Sequence, residues 1–476
     1  MTSWPALLPL AILAAGALIL LVFEAFLKSR NKAYQGYAAL AFVVSSGAVL
    51  IVAWDRDWAF FRGSLRLDNF GILLGLILTA AAAFVVLLGL RYVPLAGSNI
   101  GEFYPLLLFA LSGAVIMLTT TNLLVVFLGL EVLSVSSYAL AGLRLHDEKS
   151  SEAALKYFLL GSFASAVFVF GLALSFGASK SFDISALFKN LRPGSGTEVL
   201  GLAGLAFLLA GLAFKMAVVP FHMWTPDVYQ GAPTPVAAFF SVGPKAVGFA
   251  VLLRLTAPLL GEGLRDDALH GLLTVLAVLT LIVPNLAALR QTDIKRLLAY
   301  SSIAHAGYLL LAVLAGDPEK LVFYLIVYLF MNVGAFAAVT ALCRKDEERN
   351  TIEDFAGLGF QSPWLGALFS VFLLSLAGFP PTAGFLAKFY VFSSAARAGL
   401  VPLVILAVLA SLVSVYYYLK VVVVMYMRPA PRATETDVQS PALLLVLFLC
   451  LYGVLQLGVN PGALMHLIRR AVAVLL

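Results

Sequence analysis

Residues 199–235 read VLGLAGLAFLLAGLAFKMAVVPFHMWTPDVYQGAPTP. The first half is a helix apolar enough to enter a bilayer. It carries Lys215 near its end and then meets Pro220, Pro226, Pro233 and Pro235, each without a backbone donor. Hydrocarbon offers freed backbone groups no partner, so a break at this depth has to be lined by protein or water. Residues 375–392, SLAGFPPTAGFLAKFYVF, repeat the arrangement around Pro380 and Pro381, with Lys388 after the break instead of before it. Two interrupted helices five spans apart, with their lysines in mirrored order, predict a pair of inverted five-helix units.

The rest of the composition agrees. The chain has 476 residues, 62% hydrophobic and 12% charged, and a mean hydropathy of +0.99. Soluble domains carry about twice that charge fraction. Apolar runs of spanning length recur from end to end, which predicts an all-α polytopic membrane protein embedded in a lipid bilayer. The net charge of +6 belongs to loops near headgroups and gives no reason to expect nucleic acid. The first apolar run lacks a basic leader and reads as a retained helix. Cys343 and Cys450 stand apart from any second cysteine or histidine ligand, as buried inert thiols would. No Gly-rich nucleotide fingerprint follows a strand, and no metal site is legible.

About fourteen transmembrane helices are expected. They fall near 5–27, 35–54, 68–91, 103–121, 122–143, 153–177, 198–230, 235–256, 270–289, 295–315, 320–343, 363–396, 400–427 and 441–460, with the seventh and twelfth broken. The organisation is one domain over 1–476. Three N-terminal helices occupy 1–102, the first repeat 103–256, the second 270–427, and the last helix and tail 441–476. An even count puts both termini on one side. The cluster Lys28, Arg30 and Lys32, with a small excess of loop Lys and Arg, places that side outside.

Charges inside such helices carry most of the functional information. Lys215, Lys245 and Lys388 lie deep in apolar sequence, as does Glu131 in TNLLVVFLGLEVLSVSSYAL. Each costs roughly 2.5–3.5 kcal/mol on insertion scales, which packing alone gives no reason to incur. Burial disfavours the charged form of a lysine and an acid neighbour favours it, so a lysine switched between the two surroundings takes up and releases a proton. Glu131 shares a face with Ser134 and Tyr138 and is the candidate movable counter-charge, with Lys215 its partner. Lys245, after Gly243 and Pro244, is the candidate middle relay, and Lys388 the output. His305 aligns with Ser301 and Tyr308, and Tyr324, Tyr328 and Asn332 form a parallel stripe. A static ion pair is the alternative for Glu131, and hydrogen-bonded structure for His305. His222 stands in the first break as gate or cap. Lys156, near a helix start, is a relay member or a snorkelling cation. Glu24 reads as an interfacial charge.

The stretches LGLEVLSVSSYALAGL (128–143), AFKMAVVPFHMWTPDVYQGAPTPVAAFFS (213–241), GPK (243–245), DIKRLLAYSSIAHAGY (293–308) and LAGFPPTAGFLAKFYVF (376–392) resemble the antiporter-like membrane subunits of respiratory complex I. The resemblance extends over essentially the whole chain. Lys388, where the M type has glutamate, and the short tail after Asn460, where the L type has a long lateral helix, match the N type.

The resemblance implies two interlocked inverted five-helix repeats. It also implies a proton relay of Glu131, Lys215, Lys245 and Lys388, joined by Lys156 on the sixth helix. It implies proton translocation driven by NADH:quinone oxidoreduction, in a bacterial plasma membrane, with no redox group in this chain. FMN, iron–sulfur clusters and quinone would belong to partner subunits. Those partners would be the L and M types, the small K, J and A types, the H type and the peripheral redox arm. Two other readings of the same residues stay open: a cation/proton antiporter subunit of the Mrp type, and a scaffold whose buried charges only specify packing.

Overall fold

Apolar runs close into helices here because hydrocarbon leaves each backbone N–H and C=O no partner but its own turn. The computed structural model describes residues 4–26, 32–95, 100–189, 196–260, 267–344, 348–430 and 440–475. Lys28 and Arg30 lie outside the described residues. The chain begins with α1 (Leu8–Phe26), α2 (Ala33–Val52) and α3 (Asn69–Leu95). Next come α4 (Phe103–Leu118), α5 (Leu123–Ala141), α6 (Glu148–Ser179), the short α7 (Ile184–Lys189), α8 (Glu198–Met216), α9 (Trp224–Gly231) and α10 (Thr234–Leu260). Then follow α11 (Asp267–Ala288), α12 (Ile294–Leu314), α13 (Pro318–Ala341), the short α14 (Leu358–Gln361), α15 (Pro363–Ala377), α16 (Ala383–Arg397) and α17 (Val401–Met427). The chain closes with α18 (Pro441–Val459) and α19 (Gly462–Val472).

Among the described residues twelve helices are long and apolar enough to cross a membrane, and α4 and α15 are apolar but shorter. Counting α8–α9 and α15–α16 each as one interrupted crossing gives the fourteen expected. Sequence periodicity did not foresee two elements. A hairpin of β1 (Trp58–Phe60) and β2 (Leu65–Leu67) fills the connection from α2 to α3, where Arg66 N–H reaches Thr119 O at 2.6 Å. The tail folds as α19, tied by Arg470 to Asp55 at 2.5 Å and by Arg469 to Glu319 at 3.3 Å.

The apolar window of α10 is 100% buried and those of α12 and α13 are 94% buried, against 33% for α1, α2, α6, α17 and α18. The middle of the bundle is therefore α10, α12 and α13, which carry Lys245, His305 and the tyrosine stripe. Small residues set the closest approaches. A Cβ at Gly113 of α4 would strike the backbone of Gly129 and Leu133 on α5. One at Gly171 of α6 would strike that of Gly204 and Leu208 on α8. The helices carrying Glu131 and Lys215 are thus each fixed against a neighbour.

Local geometry occurs twice. Before α5, Leu123 N–H bonds Phe182 O at 2.7 Å and Ile184 N–H bonds Thr121 O at 3.1 Å. Before α12, Ile294 N–H bonds Asn350 O at 2.7 Å and Ile352 N–H bonds Thr292 O at 2.8 Å. Asn122 and Asp293 cap these two helices with their side chains. The broken helices stop alike. Ala217 (φ 58°) and Gly378 (φ 92°) take left-handed backbone. The next residues, Val218 and Phe379, return their N–H groups to Ala213 O and Leu374 O, at 2.9 and 3.0 Å. Five crossings per unit is an odd number, so the second unit enters from the opposite side to the first.

Candidate functional site

Lys215 ends α8, where the carbonyl end of the helix dipole favours a cation. Its side chain is buried and its ammonium has no hydrogen-bond partner. The rings of Tyr157 and Tyr138 lie 5.5 and 5.8 Å from it, and Tyr157 stacks on Trp224 at 4.4 Å. Glu131 is half-buried and accepts a 2.5 Å hydrogen bond from Ser165 of α6. A narrow crevice lined by Ser134, Tyr138, Gly161, Ser165, Phe214 and Lys215 runs from the lysine to Ser165, the residue that holds Glu131. The structure therefore brings Glu131 to the neighbourhood of Lys215 without pairing them. Ser134, expected on that face, turns its hydroxyl to Leu130 O.

α10 runs through Pro244 as continuous helix and presents Lys245 to α12. The buried ammonium donates to the hydroxyl of Ser302 at 2.6 Å and to the carbonyl of the same residue, and lies 5.1 Å from the Tyr328 ring. Ser302 stands nine residues beyond its capping Asp293, as Glu131 stands nine beyond Asn122. The second unit thus puts a serine where the first has its acid. Next along α12, His305 is buried between Tyr324, at 2.7 Å from Nδ1, and Tyr418 of α17, at 3.4 Å from Nε2. Tyr418 also bonds Ser301. The Tyr308 ring lies 5.2 Å from the ammonium of Lys388, which donates to Ala377 O at 2.8 Å and to Ser411 at 2.9 Å. Ala377 O is a carbonyl freed by the second break, so Lys388 caps the helix whose interruption makes room for it. Lys388, Ser411, Gly378 and Pro380 also border an open groove between α16 and α17.

Buried polar atoms left unpartnered are otherwise rare in folded proteins. Here the Tyr157, Tyr308 and Tyr328 hydroxyls and both amide atoms of Asn332 are unpartnered, as is the Lys215 ammonium. Tyr328 and Asn332 belong to the expected stripe on α13, in which Tyr324 is hydrogen-bonded to His305. His222 is half-buried in the first break with Nδ1 unpartnered. Backbone groups of this break are served by the Trp224 indole, 3.0 Å from Phe214 O, and by Thr280, 3.0 Å from Val219 N–H.

Lys156 differs from the three buried lysines. Its side chain is 41% exposed and sits between Glu152 at 2.5 Å and Asp227 at 2.6 Å. Glu24 is partly buried and pairs with Lys32 at 2.5 Å. Cys343 and Cys450 are buried and free. Among the described residues no group of His, Cys, Asp and Glu is arranged to hold a metal ion.

Sequence reasoning missed Ser165, Ser302, Tyr418 and Ser411, because a lone hydroxyl on an apolar helix looks like many others. It also missed Glu348, which follows α13 and is buried among five residues. The carboxylate accepts from Lys295 at 2.7 Å, Tyr92 at 2.5 Å, Asn350 at 3.0 Å and Thr234 at 3.2 Å, and pairs with Arg144 at 3.1 Å. Burial alone would push this carboxyl up, but Lys295 and Arg144 outweigh it and hold it down at about 2.

Residues 120–414 match the sequence model of a family described as NADH:quinone oxidoreductase/Mrp antiporter, transmembrane. The chain belongs to this family. It is 41% identical to the NADH-quinone oxidoreductase subunit N of Trichlorobacter lovleyi, over 98% of this chain and 96% of that one. Among solved structures, a chain of respiratory complex I from Thermus thermophilus superposes with a TM-score of 0.81 at 38% identity, covering 96% of this chain and 98% of that one. A chain of the Mrp complex from a Dietzia species superposes with a TM-score of 0.83 at 21% identity, covering 99% and 98%, and at that identity speaks for the fold alone. Family members of both kinds sit in multisubunit membrane complexes. The family and the apolar helices make this chain a multi-pass membrane protein.

Proposed function

We propose that this chain is the N-type membrane subunit of an NADH:quinone oxidoreductase and moves protons through Glu131, Lys215, Lys245, His305 and Lys388. The reading is carried by one observation. Lys215, Lys245 and Lys388 are all buried, and among the described residues none is ion-paired to a carboxylate. Static ammonium groups buried without counter-charge are a net cost to folding. A group that must gain and lose a proton during turnover needs that indecision.

Each part then has a task. Glu131 exchanges between Ser165 and Lys215. A carboxylate brought to 4 Å of an ammonium is worth about 4 kcal/mol at an effective dielectric of 20, enough to decide whether the lysine keeps its proton. Ser302 holds Lys245, and the Ser301–Tyr418–His305–Tyr324 set carries the course onward to Tyr308 and Lys388. Unpartnered hydroxyls and the Asn332 amide are where ordered water would complete it.

The chain itself does no redox chemistry in this reading. FMN, iron–sulfur clusters and quinone belong to partners, as do the L, M, K, J, A and H types and the peripheral arm. The complex sits in a bacterial plasma membrane with both termini outside. The relay divides between units at 103–256 and 270–427, flanked by 1–102 and 441–476. A cation/proton antiporter role of the Mrp kind is disfavoured by 38% against 21% identity at comparable coverage.

The test is Lys215→Ala in the assembled complex, reconstituted in liposomes, with proton uptake measured against NADH oxidation. Loss of pumping is the expected outcome. Undiminished pumping per electron in a correctly assembled variant removes the relay.

A further inference from the structure

The first broken helix carries an ionisable group that the relay does not use. Asp227 stands ten residues beyond Ala217, the left-handed residue that ends α8. Lys388 stands ten beyond Gly378, the left-handed residue that ends α15. The two side chains therefore hold corresponding places on the two broken helices. The units run in opposite directions, so corresponding places lie toward opposite faces of the bundle. If Lys388 is the group at one end of the course, its counterpart marks the other.

The surroundings of Asp227 fit an end that meets water. Its side chain is 28% exposed, against 5% for Lys388. One carboxylate oxygen pairs with Lys156 of α6 at 2.6 Å, and the other with Arg296 of α12 at 2.5 Å. Lys156 is shared with Glu152, one turn earlier on its own helix. Arg296 also donates to Gln230 at 3.0 Å, and Gln230 donates to Asp293 at 2.9 Å. A single carboxylate is thus held by one cation from the first unit and one from the second. It lies on the half-helix beyond the break from Lys215.

We infer that Asp227 is a positioning residue for proton uptake, holding Lys156 at the aqueous mouth of the first broken helix and balancing it against Arg296. This rests on the proton-relay reading of the chain. Protonation of the carboxylate, or withdrawal of Arg296 with α12, weakens its hold on Lys156, so the charge state at the mouth is linked to both units. Glu152 keeps the lysine from leaving altogether. A clamp that only pinned α9 in place would need the charge for assembly and for nothing else.

The experiment compares Asp227→Asn, Asp227→Glu, Lys156→Gln and the Asp227→Asn/Lys156→Gln double variant, with Lys215→Ala alongside. Complexes are purified intact, normalised to bound flavin and reconstituted, and protons taken up per NADH oxidised are measured. The expected result is a ratio lowered at least twofold in Asp227→Asn and restored in Asp227→Glu. Lys156→Gln should lower it likewise, and the double variant no further than either single one. If Asp227→Asn does not assemble, Lys156→Gln breaks the same contact while leaving the Arg296 pair, and the same loss is expected of it. A wild-type ratio in assembled Asp227→Asn or in Lys156→Gln overturns the inference. A wild-type ratio in Lys215→Ala as well would show that the relay reading itself had failed.

Discussion

Ser165 donates a 2.5 Å hydrogen bond to Glu131 and lines the same crevice as the unpartnered ammonium of Lys215. The acid is parked on a neutral donor beside the cation it could pair with. A hydrogen bond to a charged group is worth about 1.5–3 kcal/mol, against about 4 kcal/mol for the ion pair at an effective dielectric of 20, so the two arrangements differ by only a few kcal/mol. Two nearly balanced partners for one carboxylate are what a switch requires.

Ser165→Ala should upset that balance. Without its donor, Glu131 spends more time on Lys215, and release of the lysine's proton slows. A shift of about 1.4 kcal/mol is tenfold in an equilibrium, so NADH-driven pumping should slow by about tenfold with the amount of complex unchanged. Turnover measured in reconstituted complex decides it: a rate equal to wild type would mean that Glu131 does not exchange partners.

The hydroxyl of Tyr418 joins Ser301 to His305 across two helices. Tyr418→Phe keeps the ring and its packing, so the stability cost should stay near 1 kcal/mol. Pumping per electron should fall as far as in His305→Gln, and the double variant should fall no further, because both cut one connection. Additive losses in the double variant would place the two residues on separate routes.

The sequence made the broken helices legible because proline and glycine act locally, and Pro220 and Pro381 interrupt whatever surrounds them. Lys215, Lys245 and Lys388 were legible for a related reason: charge within hydrocarbon is conspicuous wherever the chain goes. Tyr418 and Ser302 were not, since a hydroxyl gains meaning only from the residue it faces, more than fifty positions away in both cases. The same holds for the correspondence of Asp227 with Lys388. No shared residue signals it, and it emerges only when the left-handed Ala217 and Gly378 are laid over one another. The position of Lys156 shows the converse limit. Its place near a helix start left a relay member and a snorkelling cation both open, and the structure finds it 41% exposed in a cluster of four charges with Glu152, Asp227 and Arg296.

Glu348 offers a test of what holds the two units together, independent of pumping. Its carboxylate meets Lys295, fully buried, and Arg144, and takes Tyr92 and Thr234 as further donors. Glu348→Gln keeps the size and leaves Lys295 buried without its counter-charge, at a cost of about 3–5 kcal/mol. The wild-type carboxyl is held at about 2, against 4.5 when exposed. A depressed value means the stabilisation is complete above pH 4.5 and is lost as pH falls through 2. At about 1.4 kcal/mol per pKa unit it amounts to about 3–4 kcal/mol at neutral pH, with more than half gone by pH 3. Thermal release of this chain from detergent-purified complex, wild type against Glu348→Gln, should therefore differ widely at pH 7 and less at pH 3. A gap of the same size at both values would mean that the carboxylate's charge contributes nothing to the junction.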